Sequence, residues 1–136
     1  MSSPKKLSVP RRLRVLVVED APDLRGRLVS LVTEIPDLEI AGVAGSVGEA
    51  SELLRTLRPD VALLDLRLPD GSGLDVLRDL RALNTGVFVA MITAFDTPRV
   101  RSSCLEAGAD AFLSKNSEID ELPDLLRSIA ARGHRA

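Results

Sequence analysis

The sequence predicts a single α/β domain, in which a parallel sheet of five strands carries helices on both faces. Five short apolar segments alternate with five segments whose apolar residues recur at helical spacing, and this alternation is typical of parallel sheets. The first, third and fourth apolar segments are apolar nearly throughout, as strands buried on both faces should be. A chain of 136 residues that is 45% hydrophobic fits one such domain.

The first part of the chain contains two strands and two helices. The first strand covers about residues 13–18, and a helix begins near Pro22, because proline is tolerated in a first helical turn. A second strand covers residues 38–44, and the spacing of Ser46 and Glu49 predicts a capping box that opens the second helix. The apolar faces of these helices contain Leu24, Leu28, Leu31, Val32 and Ile35, and then Ala50, Leu53, Leu54 and Leu57.

A third strand, residues 61–64, precedes a segment that its composition predicts to be a loop, residues 68–73. A third helix follows this loop, and the fourth strand covers residues 87–92 and ends in Thr93. The apolar face of the third helix contains Leu74, Leu77, Leu80 and Leu83.

The last part of the chain begins with Thr97 and Pro98, which fit the N-cap and first position of a fourth helix. Gly108 suits the left-handed residue after that helix, and the fifth strand covers residues 111–114. Ser117 is predicted to cap the last helix, whose apolar stripe contains Ile119, Leu122, Leu125, Leu126 and Ile129.

The domain is expected to cover residues 12–132, with a flexible tail at residues 1–11 and a short tail at residues 133–136. A small basic cluster lies at the start of the chain. We interpret it as a solvated segment, with an arm for nucleic acid or an anionic partner as the alternative. The cluster contains Lys5, Lys6, Arg11, Arg12 and Arg14.

Composition excludes several classes of protein. The net charge of −2 implies no general attraction to nucleic acid or anionic membranes, and the longest apolar run is far too short to span a membrane. The single cysteine, Cys104, excludes an internal disulfide and fits a helix residue in a reducing cytoplasm. The single histidine, His134, argues against histidine-based catalysis or a zinc cluster, and no glycine-rich nucleotide loop follows the first strand.

Functional side chains follow four of the predicted strands. Glu19 and Asp20 follow the first strand, Asp65 the third, Thr93 the fourth and Lys115 the fifth. Because parallel strands place their carboxyl ends on the same edge of a sheet, we expect these residues to converge where ligands of open α/β sheets bind.

The three carboxylates predict a cation site. Oxygen ligands without histidine or cysteine favour Mg²⁺, with Mn²⁺ as a substitute, and the backbone carbonyl of Arg67 could be a further ligand. Asp65, alone on the central strand, is the expected nucleophile toward phosphorus, while Lys115 and Thr93 could bind phosphoryl oxygens.

Taken singly, these residues have ordinary explanations. Asp20 could be a helix N-cap, Thr93 a β-former at a strand end and Lys115 a surface lysine. Their joint occurrence at successive strand ends favours the site.

The chain resembles the receiver domain of a bacterial two-component response regulator over about residues 13–132. The resemblance depends on five segments, namely Val17-Val18-Glu19-Asp20, Leu63-Leu64-Asp65, Leu68-Pro69-Asp70-Gly71, Ile92-Thr93-Ala94 and Gly108-Ala109-Asp110-Ala111-Phe112-Leu113-Ser114-Lys115. It implies a flavodoxin-like, doubly wound sheet in the order 2-1-3-4-5.

The resemblance also implies roles. Asp65 would be the phosphoacceptor, Glu19 and Asp20 would hold Mg²⁺, and Lys115 would pair with the phosphoryl group. Thr93 would be the switch hydroxyl and Phe112 the switch aromatic, whose ring turns inward as Thr93 moves. A core role for Phe112 is compatible with this.

The chain departs from the family in three respects. Asn116 stands where many members have proline, which is more similar to receivers that carry a helix-turn-helix output domain. Arg67 and Phe95, each two residues after a site residue, occupy positions that tune dephosphorylation in the family, and their bulk predicts slow loss of phosphate. Only 21 residues follow Lys115, about one helix and a short tail, so we expect a receiver without an output domain.

Three functions are therefore considered. The first is a cytoplasmic stand-alone receiver that takes a phosphoryl group from a sensor histidine kinase or a histidine phosphotransfer protein and then alters binding to a downstream protein. It would be no enzyme beyond self-directed phosphotransfer and autodephosphorylation, would not itself bind nucleic acid or membranes, and could form a homodimer. The second is the receiver fragment of a DNA-binding transcription regulator, and the third is a phosphate-independent protein-binding module.

Overall fold

The computed structural model describes residues 12–83 and 86–133. The tail predicted at residues 1–11 lies outside the described residues, as do Asn84 and Thr85 before the fourth strand and residues 134–136 with the single histidine. Within the described ranges, no helix combines the length and the apolar character that crossing a membrane requires.

The five predicted strands form one parallel sheet. Its order is second, first, third, fourth and fifth strand, which confirms the order implied by the resemblance. The pairing of the first two strands shifts register between Val15 and Leu16. The strands are β1 (Leu13–Val18), β2 (Leu38–Ala44), β3 (Val61–Leu64), β4 (Phe88–Thr93) and β5 (Ala111–Ser114).

Five α-helices alternate with these strands, as predicted. Thr97 caps the fourth helix, and its hydroxyl accepts a hydrogen bond from the amide of Val100 at 3.2 Å. Gly108 has a φ of 111° after that helix ends, a conformation that glycine adopts without strain. The helices are α1 (Pro22–Thr33), α2 (Val47–Leu54), α3 (Gly73–Ala82), α4 (Pro98–Glu106) and α5 (Leu122–Arg132).

The sheet has a buried core on each face. Alternate residues of a strand point to opposite faces, so Leu16 and Val18 pack under α2, α3 and α4, while Val15 and Val17 pack under α1 and α5. Cys104 is fully buried in the first of these cores, and burial raises the pKa of its thiol. Because helices cover both faces of this doubly wound sheet, polar side chains reach it at the ends of the strands.

The segment predicted as a loop at residues 68–73 contains regular structure. Arg67–Leu68 pairs with Gly71–Ser72 as a short antiparallel hairpin, and Ser72 forms a complete capping box with Asp75 at the start of α3. The tip of the hairpin is held by Asp70, whose carboxylate accepts from the amides of Val47 and Gly48 at 2.8 and 2.9 Å. These bonds lower the pKa of Asp70 and join the hairpin to the amino end of α2.

Of two further predicted helix caps, the one at Ser46 is partly right and the one at Ser117 is wrong. Ser46 accepts from the amide of Glu49 at 3.0 Å, but the Glu49 carboxylate accepts from the amide of Gly45 instead of Ser46, so the box is half formed. The prediction for Ser117 is wrong, because a 3₁₀ turn, Ile119–Glu121, precedes the last helix, which has no side-chain cap.

Gly73 allows α3 to begin directly against the end of β3. Its amide donates to the carbonyl of Leu66 at 2.8 Å, and a Cβ atom at this position would overlap the carbonyl oxygen of Asp65. The space at Gly42 is less restricted. A Cβ atom there would lie 2.7 Å from the end of the Leu57 side chain, which is flexible and can move. Gly26 on α1 has open space at its Cβ position, with nothing outside its own stretch of helix backbone within 4 Å.

Gly73→Ala is expected to lower the free energy of unfolding by about 1–3 kcal/mol, because backbone atoms cannot rotate away from the new methyl group. Gly42→Ala should cost less, and Gly26→Ala should stabilise by about 0.5–1 kcal/mol as a helix-interior glycine is removed. Urea unfolding followed by circular dichroism measures all three, since the chain lacks tryptophan and tyrosine. Wild-type stability of Gly73→Ala would contradict the close approach.

Candidate functional site

The predicted site residues lie together at the carboxyl edge of the sheet. One open cleft is lined by Glu19, Asp20, Asp65, Thr93 and Lys115, together with Arg67 and Phe95. The convergence predicted from the strand ends is therefore what the fold produces.

Backbone hydrogen bonds extend the sheet by one residue beyond the strand ends and so fix three of these residues. The amide of Glu19 donates to Ala44, that of Asp65 to Val18 and that of Lys115 to Thr93, each at 2.9 Å. Side chains that start from such positions have little backbone freedom. The fold thus sets their mutual distances before any ligand binds.

Lys115 bridges two buried carboxylates. Its Nζ lies 2.9 Å from Asp65 Oδ2 and 3.0 Å from Glu19 Oε1, while Asp65 and Glu19 are 6% and 1% exposed. Burial by itself would lower the pKa of Lys115, but the contacts with Asp65 and Glu19 outweigh it and the pKa is raised. The lysine is therefore a firmly held cation.

Glu19 is the most enclosed acid of the site. Burial raises the pKa of its carboxyl group and the nearby Asp65 adds to this, whereas the Ala21 amide and the Lys115 ammonium act in the opposite direction. The Ala21 amide donates to Oε2 at 3.1 Å. The other oxygen, Oε1, has the Lys115 ammonium as its one polar partner within the described residues, at 3.0 Å.

The acidic residues fit a hard divalent cation. Glu19, Asp20 and Asp65 each offer a carboxylate oxygen, and these oxygens lie within 4.8 Å of one another. Asp20 is exposed at the mouth of the cleft, and among the described residues the buried Glu19 Oε1 is contacted by the Lys115 ammonium alone, at 3.0 Å. A buried acceptor of this kind, in an all-oxygen set, suits Mg²⁺, which prefers oxygen ligands and retains several waters.

The second oxygen of Asp65 contacts the hairpin. Asp65 Oδ1 accepts from the amide of Arg67 at 3.3 Å, so the residue predicted to supply a carbonyl ligand adjoins the acids and lines the cleft. Metal binding by the Arg67 carbonyl itself stays a prediction.

Thr93 and Phe112, the predicted switch residues, are both buried. Thr93 Oγ1 accepts from the amide of Phe95 at 3.2 Å, which uses an oxygen lone pair and not the hydroxyl proton. The Phe112 ring belongs to the core beneath α4, with the guanidinium carbon of Arg101 4.7 Å from its centre. The switch role of both residues stays a prediction.

Arg67 and Phe95 form a stacked pair at the cleft. The guanidinium carbon of Arg67 lies 3.8 Å from the centre of the Phe95 ring, and Phe95 is 39% exposed. The sequence indicated that both positions are bulky, but only the structure shows that the two side chains cover each other beside Asp65.

Sequence reasoning missed the contacts of two residues that lie next to the site. Gly73 stood in a glycine-rich stretch, which signals close backbone approach in general but not against which residue. Asp96 carried no signal, since its partners Ser114 and Asn116 lie 18 and 20 positions further along the chain.

Comparison with known proteins gives a consistent result. The response regulator receiver domain family matches residues 15–127. Two curated relatives from Mycobacterium tuberculosis are the "probable transcriptional regulatory protein TcrX", 41% identical over 87% of this chain and 50% of that protein, and the DNA-binding transcriptional activator DevR/DosR, 34% identical over 88% and 55%. The chain spans about half the length of these relatives.

Solved structures agree with the family match. The receiver domain of the Francisella response regulator 1452 is 27% identical with a TM-score of 0.78, covering 90% of this chain and 99% of that one. A DNA-binding response regulator of the LuxR family from Staphylococcus aureus is 26% identical with a TM-score of 0.78, covering 87% and 98%. The chain belongs to the receiver domain family of two-component response regulators.

Proposed function

We propose that this receiver takes a phosphoryl group onto Asp65 from a phosphohistidine, carried by a sensor histidine kinase or a histidine phosphotransfer protein. The observation that carries the proposal is the buried Asp65 carboxylate in an open cleft, held by Lys115 and adjoined by two further acids. Glu19, Asp20, Asp65 and the backbone carbonyl of Arg67 would hold Mg²⁺, with Mn²⁺ as a substitute.

The transfer follows from the positions of the groups. An oxygen of Asp65 attacks phosphorus while the bond from phosphorus to the donor's imidazole nitrogen breaks, and the donor keeps the electron pair of that bond. Mg²⁺, when bound, neutralises charge on the phosphoryl oxygens. Lys115, already 2.9 Å from Asp65 Oδ2, pairs with one phosphoryl oxygen, and Thr93 donates its hydroxyl proton in a hydrogen bond to another.

Signalling would follow as a shift between conformations. Phosphorylation favours states in which Thr93 contacts the phosphoryl group, and Phe112, next to α4, responds to the movement of that threonine. The surface formed by α4, β5 and α5 would then present a different shape to a downstream protein. The chemistry is self-directed phosphotransfer and autodephosphorylation in a cytoplasmic signalling protein, and the same surface could support a homodimer.

The receiver function is the same whether the domain works alone or within a DNA-binding regulator. The two M. tuberculosis relatives are named as transcriptional regulators, and each is about twice as long as the matched region. This fits the second function without favouring it over the first. In neither arrangement do we assign nucleic-acid binding to this domain, since its net charge is −2.

The first prediction of the proposed function concerns phosphoryl uptake. Wild type incubated with phosphoramidate, a donor with a phosphorus–nitrogen bond like that of phosphohistidine, should gain roughly 80 Da, one phosphoryl group, only with Mg²⁺. Asp65→Asn should gain nothing, because its amide is no nucleophile at this site. Asp79→Asn, an exposed position on α3, is the matched control and should behave as wild type. Intact mass is the readout.

Calorimetry with Mg²⁺ separates the alternatives. If the wild type binds Mg²⁺ but gains no mass from phosphoramidate, uptake from a small donor is contradicted. Transfer would then require a specific donor protein. Absence of both mass gain and Mg²⁺ binding favours the phosphate-independent binding module.

The second prediction concerns the lifetime of the aspartyl phosphate. The stacked Arg67 and Phe95 pair should hinder attacking water, so the phosphoryl group should persist well beyond seconds. Arg67→Ala should speed its loss roughly threefold, since such a cation–π contact is worth about 0.5–1 kcal/mol at an exposed site. Phe95→Ala should act in the same direction.

The measurement is the decay of phosphorylated mass after the donor is removed. Leu83→Ala, an exposed apolar position of the α3 C-cap, serves as the control for loss of an apolar side chain. Decay of the wild type within seconds, or equal lifetimes in all four proteins, would refute the shielding.

A further inference from the structure

Asp96 has no role in the proposed transfer, yet it binds the residues on both sides of Lys115. Its Oδ2 accepts from Ser114 Oγ at 2.5 Å and from Asn116 Nδ2 at 3.4 Å. These bonds lower the pKa of Asp96, so the group is a carboxylate at neutral pH. Hydrogen bonds to an ionised acceptor are stronger than those between neutral groups.

Asn116 completes the connection. Its amide donates to Ser114 Oγ at 3.0 Å, and its side chain also donates to the carbonyl of Ala94 at 3.1 Å. Lys115 itself donates its amide to Thr93 at 2.9 Å. The turn that carries Lys115 is therefore closed against the segment that follows Thr93, with Asp96 as the shared acceptor.

The position of this turn matters because lysine has a long, flexible stem. A single ammonium must reach Asp65 and Glu19 at once, and its four-carbon chain provides no rigidity of its own. Geometry at the ammonium therefore depends on where the backbone of Lys115 is held. A second carboxylate, Glu118, also accepts from the Ser114 amide at 2.8 Å, so the turn keeps other hydrogen bonds when Asp96 is replaced.

We propose that Asp96 is a positioning residue for Lys115: by binding Ser114 and Asn116 it holds the lysine's backbone where the ammonium meets both carboxylates. The effect on phosphorylation rests on the proposed function, because a displaced Lys115 would pair less closely with the phosphoryl group. Asp96 acts only through its two neighbours and touches neither Asp65 nor Glu19 in the described contacts.

The test compares three variants. Asp96→Ala removes the acceptor, and Asp96→Asn keeps a carbonyl oxygen of the same shape that can still accept from Ser114. Asp110→Ala is the matched control, because Asp110 also accepts two hydrogen bonds, from Arg81 and the Val89 amide at 2.9 Å each. Asp110 precedes the amino end of β5 and so lies away from Lys115.

The first readout is the reactivity of the Lys115 ammonium and needs no phosphorylation. The chain has three lysines, Lys5, Lys6 and Lys115, so brief acylation with mapping by mass spectrometry reports Lys115 separately. Asp96→Ala should raise its labelling roughly fivefold, the factor for one net hydrogen bond. Asp96→Asn should restore most of the protection, and Asp110→Ala should leave Lys115 as in wild type.

The second readout is the rate of Mg²⁺-dependent mass gain with phosphoramidate, which should fall in Asp96→Ala and recover in Asp96→Asn. Wild-type labelling of Lys115 in Asp96→Ala overturns the inference, as does an equal rise in Asp110→Ala. If wild type gains no phosphoryl group, the proposed function fails, while the labelling comparison still decides the role of Asp96.

Discussion

The arrangement of the candidate site depends on one ammonium group, that of Lys115, which lies between two buried carboxylates. Asp65 and Glu19 approach each other in a poorly solvated edge of the sheet, where like charges repel and an unpaired ion is costly. Lys115 Nζ lies within 3.0 Å of an oxygen of each acid and supplies the opposite charge. In the proposed function Glu19 and Asp65 would hold Mg²⁺, whose charge would offset theirs, and Lys115 would then be able to pair with the phosphoryl group.

The sheet makes this placement possible. Glu19, Asp65 and Lys115 follow three different strands, and each is fixed by a backbone hydrogen bond that continues the ladder. The loops around them are tied from outside, by Asp70 at the amino end of α2 and by Asp96 between two loops. Backbone hydrogen bonds just past the strand ends thus hold Glu19, Asp65 and Lys115. Thr93, which is expected to move in the proposed function, is the last residue of β4.

Local sequence rules identified the caps in which the expected donor is free and failed where another group competes for the same side chain. Thr97 caps its helix as predicted because its partner, the amide of Val100, lies three residues away. Glu49 has the spacing of a capping box, but the amide of Gly45 takes its carboxylate. Ser117 caps nothing because a 3₁₀ turn replaces the predicted helix start, next to Glu118, which binds the Ser114 amide and Arg101. The contact of Glu118 with Arg101 joins residues 17 positions apart, and no pattern within a few residues reports it.

The sequence by itself determined the alternation of strands and helices, and through it the meeting of Glu19, Asp20, Asp65, Thr93 and Lys115 at one edge. It could do so because apolar periodicity sets which segments are buried, and parallel strands necessarily bring their ends together. The strand order came from resemblance, not from the pattern. Only the tertiary structure decided that Lys115 contacts both acids, that Arg67 stacks on Phe95, that Gly73 abuts Asp65 and that Asp96 binds both neighbours of the lysine. Each of these contacts joins residues from separate segments, and their distances depend on how helices and loops pack on the sheet, which short-range sequence spacing does not encode.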